Sequence, residues 1–223
     1  MSNIFTRVKN LYQARGTIGL LRDVLAYFRI YEHSTYYVYE HKFPRGNIEY
    51  STPKIGNFTF HMLTTTVQLE ELIQDGYNLV LNVRHIKNKI GKGAVGFCIF
   101  VDKELVATEW VAMTEKAKIV IDRQPYKVDF AKHEVCIGDA WTNPKYRRLG
   151  LNSYIDQKMN QYFGEKGVKK THAIIGVSNT ASLTMHEKHN PVDHKPCAIG
   201  HYLIICGLSF WKETPLNTGG SSS

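Results

Sequence analysis

A short basic turn, Lys145-Tyr146-Arg147-Arg148-Leu149-Gly150, is the stretch of this 223-residue chain whose residue types best suit chemistry. An apolar run, Val135 to Trp141, leads into it and is stopped by Thr142-Asn143-Pro144. A helical pattern leaves it, with apolar residues at Leu151, Ile155, Met159 and Tyr162-Phe163 in i, i+4, i+8 spacing. A helix N-terminus has unpaired backbone N–H groups and partial positive charge. A glycine at the entry lets the backbone approach a ligand closely, and two adjacent arginines add fixed charge and forked donors. The combination fits a phosphate or pyrophosphate. It is not a Walker loop, because no Gly-Lys-Ser/Thr follows, and two of the three glycines of a dinucleotide fingerprint are missing. Arg147, Arg148, Leu149, Gly150, Leu151 and Asn152 are therefore the candidate anion-binding residues, against the plainer reading of a basic surface turn at a helix start.

Such a turn needs a strand before it and a helix after it, and the chain offers more of both. A second apolar run, His172 to Val177, predicts another strand, and Ser178-Asn179 starts a second helix. Upstream, His33 to Lys42 and Phe58 to Leu63 read as strands, and Val67 to Gln74 as a helix capped by Thr65 or Thr66 and stopped by Gly76. Leu79-Val80-Leu81 fits helix or strand. Ala94 to Val101 and Leu105 to Ala112 predict a hairpin across Asp102-Lys103-Glu104. Lys118 to Ile121 and Tyr126 to Phe130 suggest a further hairpin, and Ala198 to Trp211 a long last strand bent at Gly207. Antiparallel strands thus precede a strand–helix–strand unit whose two strands should run parallel. The expected fold class is mixed α/β, with helices on both faces of a mostly antiparallel sheet. Three segments are expected: a helical extension over 1–31, one domain over 32–213, and a flexible tail over 214–223.

Composition bounds the partners. No apolar stretch is long enough to span a bilayer and no secretory segment is visible. The four cysteines, Cys98, Cys136, Cys197 and Cys206, lie far apart without a Cys-x-x-Cys and read as reduced, buried thiols of a cytoplasmic protein. A net charge of +8 favours an acidic partner. In residues 1–31, Ile4, Val8 and Leu11 form one apolar stripe and Leu21, Val24, Leu25 and Phe28 another, among Arg7, Lys9, Arg15, Arg22 and Arg29. This segment reads as an arm packed on the domain or on a second subunit of a homodimer, or as a basic helix lying on an anionic membrane. Tyr36, Tyr37 and Tyr39 could stack bases, but aromatics are ordinary strand formers, so a nucleic-acid partner is not expected. His186, His189, His194 and His201 match no zinc spacing, so no metal is expected.

The central block resembles the GNAT N-acetyltransferase superfamily. That family's acetyl-CoA signature is Arg/Gln-x-x-Gly-x-Gly/Ala after a strand ending in a Pro turn. Arg147, Gly150 and Asn152 occupy its defined positions, with Pro144 three residues before Arg147. Asn152 departs from Gly or Ala. Downstream, Asn179 and Ser182 match the family's Asn-x-x-Ala/Ser, and His186-Glu187-Lys188 stands where Tyr-Glu-Lys is usual. The resemblance covers roughly residues 58–210. It implies a sheet splayed open between the strands Glu134–Trp141 and Thr171–Val177, with the pantetheine arm of acetyl-CoA in the gap. It also implies acyl transfer to a primary amine in a ternary complex.

Carried over residue by residue, Ala140, Trp141 and Thr142 would present strand backbone to the pantetheine amides. Asn179, beside Ser182, would bond the same arm, although Asn is also an ordinary helix cap. His186, in place of the family's Tyr, would give a proton to the leaving thiolate. Glu134 is the acid nearest the position where relatives carry a general base. Glu109 is the second candidate, since a carboxylate between Thr108 and Trp110 in an apolar run must face a cleft or find a partner. The departures at Asn152 and His186 also admit a CoA-binding module with altered activity, and the basic arm admits a membrane-surface binding protein. The acceptor amine is not legible.

Overall fold

The computed structural model describes residues 17–19, 21–22, 24–28, 30–43, 52–79, 83–189 and 195–216. Eight strands form one sheet: β1 (Tyr31–Lys42), β2 (Thr59–Leu63), β3 (Val95–Val101), β4 (Glu104–Ala112), β5 (Glu134–Thr142), β6 (Lys170–Gly176), β7 (Ala198–Ile205) and β8 (Leu208–Pro215). Their order is β2-β3-β4-β5-β6-β1-β7-β8. Among the described strands only the neighbours β5 and β6 run parallel, and they do so over three rungs, Glu134↔Lys170, Val135↔Thr171 and Cys136↔His172. Beyond Cys136, β5 stays with β4 while β6 stays with β1, so the two strands diverge. This is the mostly antiparallel mixed sheet with one splayed parallel pair that the sequence led us to expect.

Helices cover both faces. On one face lie α1 (Thr66–Gln74), α2 (Val83–Gly91) and α3 (Glu115–Ile121), whose Leu69, Leu72, Ile86, Ile90, Ala117 and Ile121 share a core with Cys98, Phe100, Trp110 and Cys136. On the other lies α4 (Leu151–Glu165), whose predicted stripe, Leu151, Ile155, Met159 and Phe163, is fully buried against Phe97, Ile99, Val111 and Val135. A fifth helix, α5 (Thr180–His189), joins the α4 side, because Asn152 Nδ2 donates to Met185 Sδ at 3.1 Å. A capping box starts α1: the Gln68 N–H donates to Thr65 Oγ1 (3.3 Å) and the Thr65 N–H to Gln68 Oε1 (3.1 Å).

Three expectations are corrected. Lys118–Ile121 is not a strand but the end of α3. The Thr114 hydroxyl accepts the Ala117 N–H at 3.2 Å, and this cap, with Ala117 and Ile121 facing the core, outweighs the β propensity of Ile119-Val120-Ile121. Ala198–Trp211 is not one bent strand but the hairpin of β7 and β8. Cys206 (φ +47°) and Gly207 (φ +84°) form its two-residue turn, where consecutive positive φ values match the twist of the paired strands. Not all four thiols are buried: Cys98 and Cys136 are, Cys197 is partly exposed, and Cys206 is exposed at that hairpin tip. The ambiguous segment after Tyr77 becomes helical from Val83.

Of the expected N-terminal arm, Ile4, Val8 and Leu11 lie outside the described residues. Helical backbone occurs at 17–19, 21–22 and 24–27, and Ile18, Leu21, Val24, Tyr27 and Phe28 are exposed there. Arg22 ties the segment to β1 by donating to the His33 carbonyl at 2.9 Å. Most of the predicted tail also lies outside the described residues, with Thr214 and Pro215 in β8. Among the described residues no helix is long and apolar enough to cross a membrane.

Candidate active site

The basic turn sits where β5 ends and α4 begins. Asn143 caps a short 3-10 turn, Pro144–Tyr146, by accepting the Lys145 N–H at 3.1 Å. Arg147 is extended and its Nε donates to the Thr142 carbonyl at 3.3 Å. Arg148 (φ +63°) and Gly150 (φ +80°) then take left-handed conformations that swing the chain into α4. At Gly150 this conformation is strain-free only for glycine. Among the described residues no side chain caps α4, whose first-turn N–H groups lie at the end of the splayed strand. Both arginines are exposed beside them.

Ala140, Trp141 and Thr142 form the last turn-ward part of β5. Trp141 and Thr142 pair with Thr108 and Ala107, whereas Asp139 and Ala140 together oppose Glu109 in a bulge. Asp139 adopts φ +50° there and ion-pairs with Lys89, whose ammonium lies 4.5 Å from the Trp110 ring. A bulge leaves one residue out of the ladder, here on the strand that borders the gap. Glu109 is thus buried in mid-sheet opposite the bulge. Asn152 Oδ1 accepts from Thr142 Oγ1 at 2.7 Å while its amide reaches Met185, so this side chain links β5, α4 and α5 across the mouth of the gap. A Gly or Ala at that position could make neither bond. Asn179 Oδ1 accepts the Ser182 N–H at 3.2 Å, capping α5.

His186 is buried on α5, under β1. Its Nε2 lies 2.9 Å from His41 Nε2, and its ring centroid is 4.0 Å from that of Tyr39. Two imidazole nitrogens at that distance share one proton, one donating and the other accepting.

Glu134 lies at the opposite end of β5 from the turn, in the first of the three parallel rungs. Burial pushes its carboxyl up, but the Asp129 N–H (3.0 Å), His172 Nε2 (2.7 Å) and Lys170 Nζ (3.5 Å) outweigh that, so Glu134 titrates below the usual glutamate range. Lys170 is raised in turn, first by its 3.0 Å bond to Glu40. His172 was read only as the start of a strand. In the folded chain it is buried, between carboxylates from β5 and β1, and faces a cavity of about 340 Å³ on the α3 side of the sheet. No one-dimensional signal joins His172 to Glu134 and Glu40, because β1 comes from the far end of the chain.

No protein-family model matches the sequence, and neither does any curated protein. Solved structures do match in fold. A Drosophila protein aligns over 88% of this chain and 58% of its own, with 11% identity and a TM-score of 0.51. A GCN5-related N-acetyltransferase from Sphaerobacter thermophilus aligns over 94% and 60%, with 11% identity and a TM-score of 0.46. An aminoglycoside acetyltransferase from an uncultured soil metagenomic sample aligns over 60% and 88%, with 14% identity and a TM-score of 0.42. The chain therefore spans about three fifths of the first two proteins. Strand, basic turn, helix and a parallel strand that splays away, set in a mostly antiparallel sheet with helices on both faces, are the GNAT-like arrangement that the resemblance implied. At these identities the likeness is one of fold.

Proposed function

We propose that the protein is an acyltransferase that moves an acetyl group from acetyl-CoA to a primary amine, both bound at once. The observation that carries this reading is the fork after Cys136↔His172, which ends at a helix N-terminus without a side-chain cap and with two exposed arginines. The pyrophosphate of CoA would take the N–H groups of residues 150–152 and the charge of Arg147 and Arg148. The pantetheine arm would run back along Ala140–Thr142, whose bulge frees backbone for it, past Asn179 and Ser182 on α5. The thioester then comes to the narrow end of the fork. Holding the two reactants in line supplies much of the acceleration. A base at the narrow end of the fork, with Glu134 and Glu109 the acids that the sequence offers for it directly or through a neighbour, would take the amine proton, and His186, sharing its proton with His41, would give one to the departing thiolate.

A second reading rests on Asn152. Its bonds to Thr142 and Met185 close the mouth of the gap, and a protein that kept them with CoA bound would be a binding module rather than an enzyme. Calorimetric titration with CoA, followed by thiol release from acetyl-CoA over a panel of amines, separates the two. Tight CoA binding with turnover supports the transferase, and tight binding with no turnover on any amine supports the module. In the same titration Arg147→Glu should weaken CoA by at least about tenfold, or about 1.4 kcal/mol. Unchanged affinity would remove the anion site.

A further inference from the structure

We infer that the 340 Å³ cavity beside His172 binds a small cationic amine, and that His172 Nδ1, oriented by Glu134, takes its proton. The inference rests on the acyl-transfer reading for what happens next, but the binding site stands on its own geometry. Glu40, Tyr126, Lys127, His172, Trp211 and Glu213 line the cavity, drawn from β1, the segment before β5, β6 and β8. Register places Val38, Glu40, His172 and Trp211 on the same face of the sheet. His172 is also the last residue of β6 to pair with β5, so the imidazole stands at the fork itself.

The tautomer follows from the neighbours. Glu134 is ionised over the neutral range and can only accept, so the 2.7 Å bond to His172 Nε2 requires the hydrogen on that nitrogen. A neutral His172 then carries its lone pair on Nδ1. That atom faces Glu40 Oε1 at 3.7 Å, too far for a direct bond. A lone pair and a carboxylate oxygen are two acceptors turned towards each other, and a donor between them satisfies both. An ammonium is such a donor, and its charge is favoured by Glu213 and by Glu40, whose other oxygen is held by Lys170, over the opposing charge of Lys127. The Trp211 ring, its centroid 6.3 Å from that of Tyr126, offers a face for the cation and the organic body attached to it, the Tyr126 ring already carrying the Lys118 ammonium at 4.1 Å. The volume is at the small end of the roughly 300–1,000 Å³ typical of ligand pockets, which selects a compact amine.

The ammonium gives one proton to Nδ1. The neutral amine forms the C–N bond at the thioester carbonyl, the C–S bond breaks, and its electron pair leaves on sulfur. The nitrogen loses its second proton as the amide forms, the thiolate gains one, and the proton on His172 passes to solvent. His172 is the catalytic residue of this scheme and Glu134 a positioning residue. The charged or titratable groups around the imidazole are Glu134 of β5, Glu40 of β1, Lys170 of β6, Tyr126 and Lys127 before β5, and Glu213 of β8.

The test uses benzylamine and its uncharged analogue benzyl alcohol, titrated by tryptophan fluorescence into the full chain, alone and with saturating CoA. Benzylamine should bind at least about tenfold tighter than the alcohol, and Glu40→Gln should remove that preference while CoA affinity stays within about twofold. His172→Gln should lower kcat on acetyl-CoA and amine by about a hundredfold or more, within the range of general-base loss. Glu134→Gln should move the acidic limb of the kcat/KM pH profile to lower pH, which a role in packing alone would leave in place. Equal binding of amine and alcohol, or Glu40→Gln indistinguishable from wild type, overturns the cavity assignment even if the core variants fail to fold. Amine binding without CoA binding sinks the acyl-transfer reading and the proton-transfer step but keeps the cation site. CoA binding and turnover with the pH profile unmoved by Glu134→Gln sinks the proton-transfer step alone.

Discussion

Gly200→Ala, set against Gly96→Ala, tests whether Trp211 is the wall of the cavity. In both cases a strand glycine faces a tryptophan. A Cβ on Gly96 would lie 2.8 Å from Trp110 Cη2 and 2.9 Å from Cζ3, and one on Gly200 would press still harder on Cη2 and Cζ2 of Trp211. Glycine to alanine in a strand otherwise gains about 0.5–1 kcal/mol, so a measured loss reports the clash. Overpacking costs about 1–3 kcal/mol, and the cost depends on whether the neighbour can retreat. Trp110 cannot: it is fully buried, with the Lys89 ammonium over its ring. Gly96→Ala should therefore fall at the upper end, a Tm loss of several degrees at about 2–4 °C per kcal/mol for a chain this size. Trp211 is only partly buried, on the outermost hairpin, tethered by its Nε1 donating to Glu213 Oε1 at 2.7 Å. It can give way, on the order of 1 Å, into a cavity it already lines. Gly200→Ala should cost less in Tm than Gly96→Ala and yet weaken benzylamine by about tenfold or more. Scanning calorimetry and fluorescence titration on the two variants decide it. Wild-type amine affinity in Gly200→Ala, with a Tm loss matching that of Gly96→Ala, would refute the placement of the cavity wall.

Three further outcomes are expected. His186→Phe should lower turnover more than CoA affinity, measured as kcat against Kd, and an equal loss in both would reduce the ring to packing. Glu134, held below its ordinary value of 4.5, contributes stability that is complete above that pH and lost as pH falls through the lower folded value, so Glu134→Gln should flatten the acid side of the stability–pH curve in urea titrations below about pH 4.5. An aromatic disulfide reagent should modify one thiol quickly, with Cys206→Ser abolishing the fast phase, because burial pushes Cys98 up to about 11 and Cys136 up to about 12 while Cys206 stands exposed at the hairpin tip.

Elements whose signals are local were legible. The stripe Leu151–Ile155–Met159 gave α4, the Thr65–Gln68 pair gave the start of α1, and the run around Asp102-Lys103-Glu104 gave the hairpin of β3 and β4. The parallel relation of β5 and β6 followed from a helix lying between them. Local signals also misled. Cys206-Gly207 lacks the Asn or Asp that marks a primed turn, so the β7–β8 hairpin read as one strand. Ile119-Val120-Ile121 favours strand by composition, and only the Thr114 cap and two inward-facing residues make it helix. At the site, the basic turn was visible because its residues adjoin in sequence. His172 was not, because its meaning comes from Glu134 and Glu40, which only the sheet brings to it.

The placement of β1 explains why the cavity could not be read from the central block. This strand leaves the N-terminal segment and inserts between β6 and β7, pairing antiparallel with both. Alternate residues of a strand face opposite sides of its sheet. Glu40 therefore meets His172 on the cavity side, while Tyr39 and His41 meet His186 and α5 on the other. One strand thus contributes to the proposed amine site and to the packing beneath the proposed thiolate donor. A rigid shift of β1 by one residue would exchange these two sets of side chains and disable both at once. Its register is fixed by seven rungs to β6 and eight to β7, far more than the three that hold β5 to β6. The β5–β6 pairing is therefore the shortest of the sheet, while the wall of the proposed amine site is anchored by β1.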